Sequence, residues 1–212
     1  MLRKETVSNR TLELLTDLMK DEQLGEFFLV GGTALSLQIG HRISIDLDLF
    51  SIKPFDENQL LTYLENGYKF KLDYQSKNTL KGQINNVKVD FITHAYPLIN
   101  PLIIDEHIRM ASAEDIAAMK LNAISGNGTR LKDFIDIAYL SSSITLNRMI
   151  EAYAQKYSSR NPLMIVKALD YHNDIDFNEP VDMVDGKYAW KKIKRRLDQM
   201  IRAPQTLFDN VA

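Results

Sequence analysis

The chain has 212 residues, 45 % hydrophobic and 25 % charged, a balance that fits a soluble globular protein and excludes a disordered one. Its 26 basic and 28 acidic residues give a formal charge of -2, which argues against a polyanionic partner only if the charges are spread evenly. The absence of cysteine excludes a disulfide framework, a zinc–thiolate site and a thiol nucleophile, and the expected setting is a reducing cytoplasm.

MLRKETVSNR lacks an apolar h-region, so no signal peptide is expected. The uncharged run Phe27–Gly40 has 14 residues and includes Gly31 and Gly32; a membrane helix needs about 18 apolar residues, so no membrane partner is expected. Glu5 to Lys20 predicts an amphipathic helix, with Leu12, Leu15 and Met19 at i, i+3 and i+7. Phe27 to Val30 predicts a buried strand, Gly31-Gly32 a turn, and Thr33 to Ile39 one or two helical turns. Ile43 to Phe50 alternates apolar and polar and predicts a strand with one buried face, stopped by Pro54. Glu57 to Glu65 predicts a helix stopped by Asn66-Gly67. Tyr68 to Gln75 predicts a strand, and Asn85-Asn86 within Gly82 to Thr93 predicts a hairpin turn leading into Val87–Ile92. Pro97 and Pro101 bracket a loop.

Beyond this point the pattern is helical. Ser112 predicts an N-cap, and candidate helices run over Glu114–Ser125, Leu131–Ser141, Leu146–Tyr157, Pro162–His172 and Tyr188–Ile201. The expected fold class is α+β: a small mixed-sheet core over residues 1–110, followed by a helical bundle over residues 111–212.

Asp46 and Asp48 lie two apart on a predicted strand and so share a face, as a solvated pair or as ligands of a hard cation. Asp90 supplies a third carboxylate on a later strand. If the strands are neighbours the three acids converge, and like charges at close range call for a cation among them. Gly31-Gly32 before a helix reads either as a plain turn or as a place where phosphate approaches backbone N–H groups. The EF-hand reading of Asp46-x-Asp48 fails, because Phe50 holds the fifth position and Ser51 the place of the required glycine. A sugar-nucleotide glycosyltransferase fails because too few residues precede the motif for a nucleotide-binding unit of several strands.

The ordered set GGTALSLQIGHRISIDLDLF resembles the signature of the DNA polymerase beta-type nucleotidyltransferase superfamily. The form Arg42-x-Ser44-x-Asp46-x-Asp48-x-Phe50 is similar to its abortive-infection toxin branch, the AbiEii/AbiGii-like proteins. Downstream, MKLNAIS and RLKDFIDIAYL resemble that branch's Lys-x-x-Ala-Ile and Asp-Phe-x-Asp motifs. Gly32 departs from the serine common in the wider superfamily, which removes one hydroxyl beside Thr33. The resemblance implies a nucleotidyltransferase that moves a nucleoside monophosphate from a nucleoside triphosphate to an RNA (tRNA) or protein hydroxyl. It also implies two magnesium ions on Asp46, Asp48 and Asp90, nucleotide contacts from Gly31, Gly32, Thr33, Arg42 and Ser44, and active-site parts for Lys120 and Asp133, with Asp136 in support. A bacterial toxin with a cognate antitoxin, or one half of a phage-defence pair, is the implied setting. The alternative is a non-catalytic nucleotide-binding module on the same fold, but all three acids are present, which favours the enzyme.

Lys120 shares a helix face with Ile116 and Ile124, so its stem packs while its ammonium reaches either water or a phosphate. Asp133 and Asp136 share a face as either solvated surface or site residues. Residues 187–202 carry seven cations against the single anion Asp198 along an apolar stripe, either a solvated face or a grip on RNA phosphates. The total of -2 therefore conceals a basic helix on a net acidic remainder.

Overall fold

The computed structural model describes residues 1–209 and 211. Among these, seven strands and eight α-helices divide between two compact units, one of residues 1–97 and 102–111, the other of residues 98–101 and 112 onward.

The first unit is built on a mixed sheet of β1 (Phe28–Val30), β2 (Leu47–Ser51), β3 (Lys71–Ser76), β4 (Thr79–Ile84), β5 (Val87–Thr93), β6 (Ile103–Asp105) and β7 (Ile108–Met110), in the order β3-β4-β5-β2-β1-β7-β6. Strand β2 runs antiparallel to β1 and parallel to β5. Alternation sorts the side chains: Leu47, Leu49, Leu80, Ile84, Val89 and Phe91 are buried on one face, where Phe27 and Phe70 meet Phe91 edge-on at 5.2 and 6.2 Å. The opposite face of β3, β4 and β5 carries Lys71, Lys81, Gln83, Lys88 and Asp90. As predicted, β4 and β5 join at Asn85-Asn86, both with left-handed φ (52° and 61°), which asparagine tolerates.

The helices of this unit are α1 (Asn9–Lys20), α2 (Gly31–Ile39) and α3 (Glu57–Tyr68). The Ser8 hydroxyl accepts from Thr11 N at 3.1 Å, so α1 begins at Asn9, while Glu5 lies in a separate 3-10 turn. Helix α3 runs through Gly67 rather than stopping there. Its end is a left-handed Lys69 (φ 57°), after which Phe70 N–H bonds Leu64 O at 3.2 Å and the Phe70 ring is buried; packing of that ring, not the glycine, sets the stop.

Two further differences from expectation have physical causes. The β6–β7 hairpin was not predicted, because its turn places Glu106 and His107 in left-handed conformations (φ 47° and 69°) with neither glycine nor asparagine to announce it. It is secured through Arg109, which donates to Met19 O at 2.7 Å, Phe27 O at 3.1 Å and Leu24 O at 3.2 Å. Strand β2 begins at Leu47, not Ile43. Residues 43–46 form an irregular segment in which Ser44 is buried and Ile45 is 64 % exposed, the reverse of the predicted alternation.

The second unit contains α4 (Ala113–Gly126), α5 (Leu131–Leu140), α6 (Leu146–Lys156), α7 (Leu163–Asp170) and α8 (Trp190–Arg202). Helix α4 packs on α5, α6 and α7, and α8 packs on α5 and α7. Ser112 caps α4 as predicted, accepting from Asp115 N at 3.0 Å. Asp115 is buried yet fully engaged: it accepts from Ser112 Oγ (2.7 Å), Ile99 N (2.9 Å) and Asn100 N (3.3 Å), and pairs with Lys156 at 2.9 Å. The His172 ring lies 5.6 Å from Phe134 and 5.2 Å from Trp190, and burial there pushes its pKa below the ordinary histidine value. No helix among the described residues is long and apolar enough to cross a membrane.

Candidate active site

Strand β1 ends at Val30, and α2 starts directly at Gly31. Gly31 has φ +68°, and a Cβ there would lie 2.3 Å from Asp48 Oδ2, so both backbone and neighbour demand glycine. Gly32 has a different cause. A Cβ would fall 2.3 Å from Arg42 Nη2 and 3.3 Å from Ser44 Oγ. The guanidinium of Arg42, only 3 % exposed, thus occupies the place where a residue-32 side chain would stand. Val30 supplies no side-chain cap to α2, so the first-turn N–H groups of Gly31 and Gly32 form the kind of helix N-terminus that accepts an anion.

Thr33 is buried. Its Oγ1 lies 2.8 Å from Ser44 Oγ and hydrogen-bonds the carbonyl of Asp46. Ser44 N donates to Thr6 O at 2.8 Å. These bonds hold residues 44–46 against α2 and Thr6 in place of a strand ladder, which is why the predicted strand is cut short. The Thr33 and Ser44 hydroxyls are engaged in shaping this segment. His41 is buried beside it.

The parallel register of β2 and β5 sets Asp48 directly opposite Asp90. Asp90 is 4 % exposed; its Oδ2 lies 3.0 Å from Lys81 Nζ, and its Oδ1 is buried with no hydrogen-bond partner. Carboxylate oxygens are the donors that magnesium takes, and the unsatisfied Oδ1 is an acceptor suited to it. Among the described residues, however, no group of three His, Cys, Asp or Glu side chains stands arranged around an ion. Of the three acids expected together, Asp48 and Asp90 are neighbours across the two strands, Asp46 lies just before β2, and Asp90 is turned onto Lys81. Lys81 escaped the sequence reading, although the signal was present. Counting outward from the Asn85-Asn86 turn along an antiparallel hairpin puts Lys81 opposite Asp90.

The second unit holds a separate cluster. Lys120 does not snorkel. It is buried, with Nζ 2.8 Å from Asp133 Oδ1 and 2.5 Å from Asp136 Oδ2, and both carboxylates are themselves buried, which excludes their solvated reading. Arg130 Nε lies 3.6 Å from Asp133 Oδ2. On the basic helix, Lys187, Lys191, Lys192, Lys194, Arg195 and Arg202 are exposed. Arg196 is not part of that face: it donates to Ser141 Oγ at 2.9 Å and Asp209 O at 2.7 Å and covers the Phe208 ring at 5.0 Å.

Residues 13–210 match the family model described as nucleotidyl transferase AbiEii toxin, type IV TA system. An uncharacterised protein of Aquifex aeolicus (strain VF5) is 36 % identical over 155 residues, 70 % of this chain and 75 % of that one. The fold is similar to that of MenT4, a nucleotidyltransferase toxin from Mycobacterium tuberculosis H37Rv, with a TM-score of 0.63 and 16 % identity, covering 94 % of this chain and 83 % of that one. It is also similar to JHP933 from Helicobacter pylori, with a TM-score of 0.54 and 17 % identity, covering 92 % of each chain.

Proposed function

The chain belongs to the AbiEii family of nucleotidyltransferase toxins of type IV toxin–antitoxin systems, and from that premise we propose how its residues divide the reaction. A nucleoside triphosphate is the donor and an RNA hydroxyl the acceptor. The hydroxyl oxygen bonds to the α-phosphorus, the bond from that phosphorus to the bridging oxygen breaks, pyrophosphate leaves, and the hydroxyl proton passes to a base. The observation that carries this reading is the Asp48–Asp90 pair facing one another across β2 and β5, beside the N-terminus of α2.

Asp46, Asp48 and Asp90 would hold two magnesium ions. When bound, such ions neutralise charge on the attacking and leaving oxygens of an in-line displacement. The backbone N–H groups of Gly31, Gly32 and Thr33 receive phosphate oxygens at the helix N-terminus. Arg42 keeps a buried positive charge over Gly32, in the position where a serine would offer only a dipole. Ser44 and the Thr33 hydroxyl fix the approach of the segment that carries Asp46. Asp90 is the proposed third metal ligand through its unbonded Oδ1, and in that place it would orient the attacking hydroxyl. Lys120 and Asp133 are assigned to catalysis as a preset ammonium–carboxylate pair. The exposed cations of residues 187–202 contribute phosphate contacts to the RNA. A cognate antitoxin is the proposed regulator and the cytoplasm the proposed compartment.

The test incubates the protein with each labelled nucleoside triphosphate, magnesium and total RNA, beside Asp48→Ala. Label entering RNA with the wild type and absent with the variant is the expected result. Absence of label from RNA with all four triphosphates refutes the reading.

A further inference from the structure

The open face of β3, β4 and β5 continues the catalytic row outward. Pairing places Asp48 opposite Asp90, Asp90 opposite Lys81, and Lys81 opposite Tyr74, so four side chains from four successive strands stand in one line across the sheet. Tyr74 reaches this face through a local irregularity. Leu72 pairs with Gly82 on the buried side, and the register then shifts so that Tyr74 pairs with Lys81 on the open side. A regular strand would have left Tyr74 on the same side as Leu72; the extra residue, Asp73, turns it over. The result is a tyrosine ring 55 % exposed at the end of an acid-to-cation row.

The next row on the same face is equally open. Lys88 pairs with Gln83 and Gln83 with Lys71, and all three are exposed. The platform therefore carries three ammonium groups, those of Lys71, Lys81 and Lys88. Against them stand Asp90, paired with Lys81, and Asp73, which accepts from Gln83 Nε2 at 3.3 Å. A planar ring flanked by lysines is the combination that binds single-stranded polynucleotide, with a base on the ring and phosphates on the cations. Three strand spacings separate Asp48 from Tyr74, about 14 Å. That is the length of about four stacked nucleotides at 3.4 Å each.

We propose that this face is the acceptor-strand subsite: the 3′ end of a single-stranded RNA reaches Asp48 and Asp90 while an upstream base stacks on Tyr74 and its phosphates lie along Lys71 and Lys88. The proposal rests on the transfer reading above for the identity of the acceptor, and it adds residues of the sheet to those of the basic helix.

The test is fluorescence anisotropy with a short labelled single-stranded oligoribonucleotide, without triphosphate or metal, so that binding is read apart from transfer. Tyr74→Ala is expected to weaken binding about tenfold and Tyr74→Phe to leave it within about twofold, because stacking needs the ring and not the hydroxyl. Lys71→Ala with Lys88→Ala is expected to make the slope of log affinity against log salt shallower by about 1.4, for two lost phosphate contacts. All of these positions are exposed, and a thermal scan confirms that the variants fold. Unchanged affinity for Tyr74→Ala overturns the proposal, as does binding lost only on replacing Lys191, Lys192 and Lys194 by alanine. Label entering RNA from a wild type whose oligonucleotide binding is indifferent to Tyr74, Lys71 and Lys88 also overturns it, with the transfer reading intact. Tyr74-dependent binding by a wild type that transfers nothing supports the subsite and refutes the transfer reading.

Discussion

Gly32→Ala separates two explanations for a glycine. Its φ lies outside the left-handed region, so backbone strain is not at issue, and the predicted effect comes from one neighbour. The new Cβ would stand 2.3 Å from Arg42 Nη2, where ordinary contact begins at 3.4 Å. A surface arginine would swing aside, but Arg42 is 3 % exposed and its guanidinium also donates to Ile43 O at 3.2 Å, so an ångström of movement disturbs buried packing. Overpacking of this kind costs about 1–3 kcal/mol, and at about 2–4 °C per kcal/mol for a chain of this size Tm should fall by about 2–12 °C. In an Arg42→Ala background the main obstacle is gone, and only the mild approach to Ser44 Oγ at 3.3 Å remains. The same Gly32→Ala change should then raise stability by up to about 1 kcal/mol, because alanine outranks glycine inside a helix. The assay is a double-mutant cycle by thermal and urea denaturation. A penalty of equal size in both backgrounds, or none in the wild type, would refute the assignment of Gly32 to Arg42.

Lys120→Met should destabilise the protein by about 3–5 kcal/mol, since it leaves Asp133 and Asp136 buried without their cation. Adding Asp133→Asn and Asp136→Asn should restore part of the loss; an unchanged urea midpoint for the single variant would show that the cluster is not structural. The depressed pKa of His172 has a definite sign: the fold favours the neutral ring, so its contribution is complete above the ordinary value of 6.5 and is lost as pH falls through the folded value. Tm measured across that window should decline toward acid, and His172→Phe should flatten the decline; an identical slope in the variant would assign the dependence to other groups.

Features encoded locally were legible in the sequence. The Asn85-Asn86 turn, the Ser112 cap and the helix-period segments after residue 112 each depend on neighbours within a few positions, and all appear in the fold. Features set by distant partners were not. Residues 43–46 alternate like a strand, yet Thr33 and Thr6 hold them elsewhere. Gly67 reads as a helix stop, yet burial of the Phe70 ring beside Phe91, on a distant strand, sets the end of the helix. Lys120 reads as reaching either water or a phosphate, and not its two carboxylate partners, because these arrive from another helix. At the candidate site, residue identities were accessible from the motif, whereas the shortfall lay in orientation: the pattern contained Asp90 but not its turn toward Lys81.

The placement of residues 98–101 has a consequence for the order in which the chain acquires its structure. These residues belong to the helical unit, bonding to Asp115 through Ile99 N and Asn100 N, while residues 102–111 return to the sheet. On the ribosome, the last strands of the sheet therefore emerge after a segment whose own partners have not yet been made. Asp115 follows soon, but Lys156, which balances its charge, does not. At about 5–20 residues per second, the interval between residue 101 and residue 156 is about 3–11 s. During that interval the nascent sheet unit carries a stretch of chain that waits for the helices, and it is the synthesis of α6 that ends the wait.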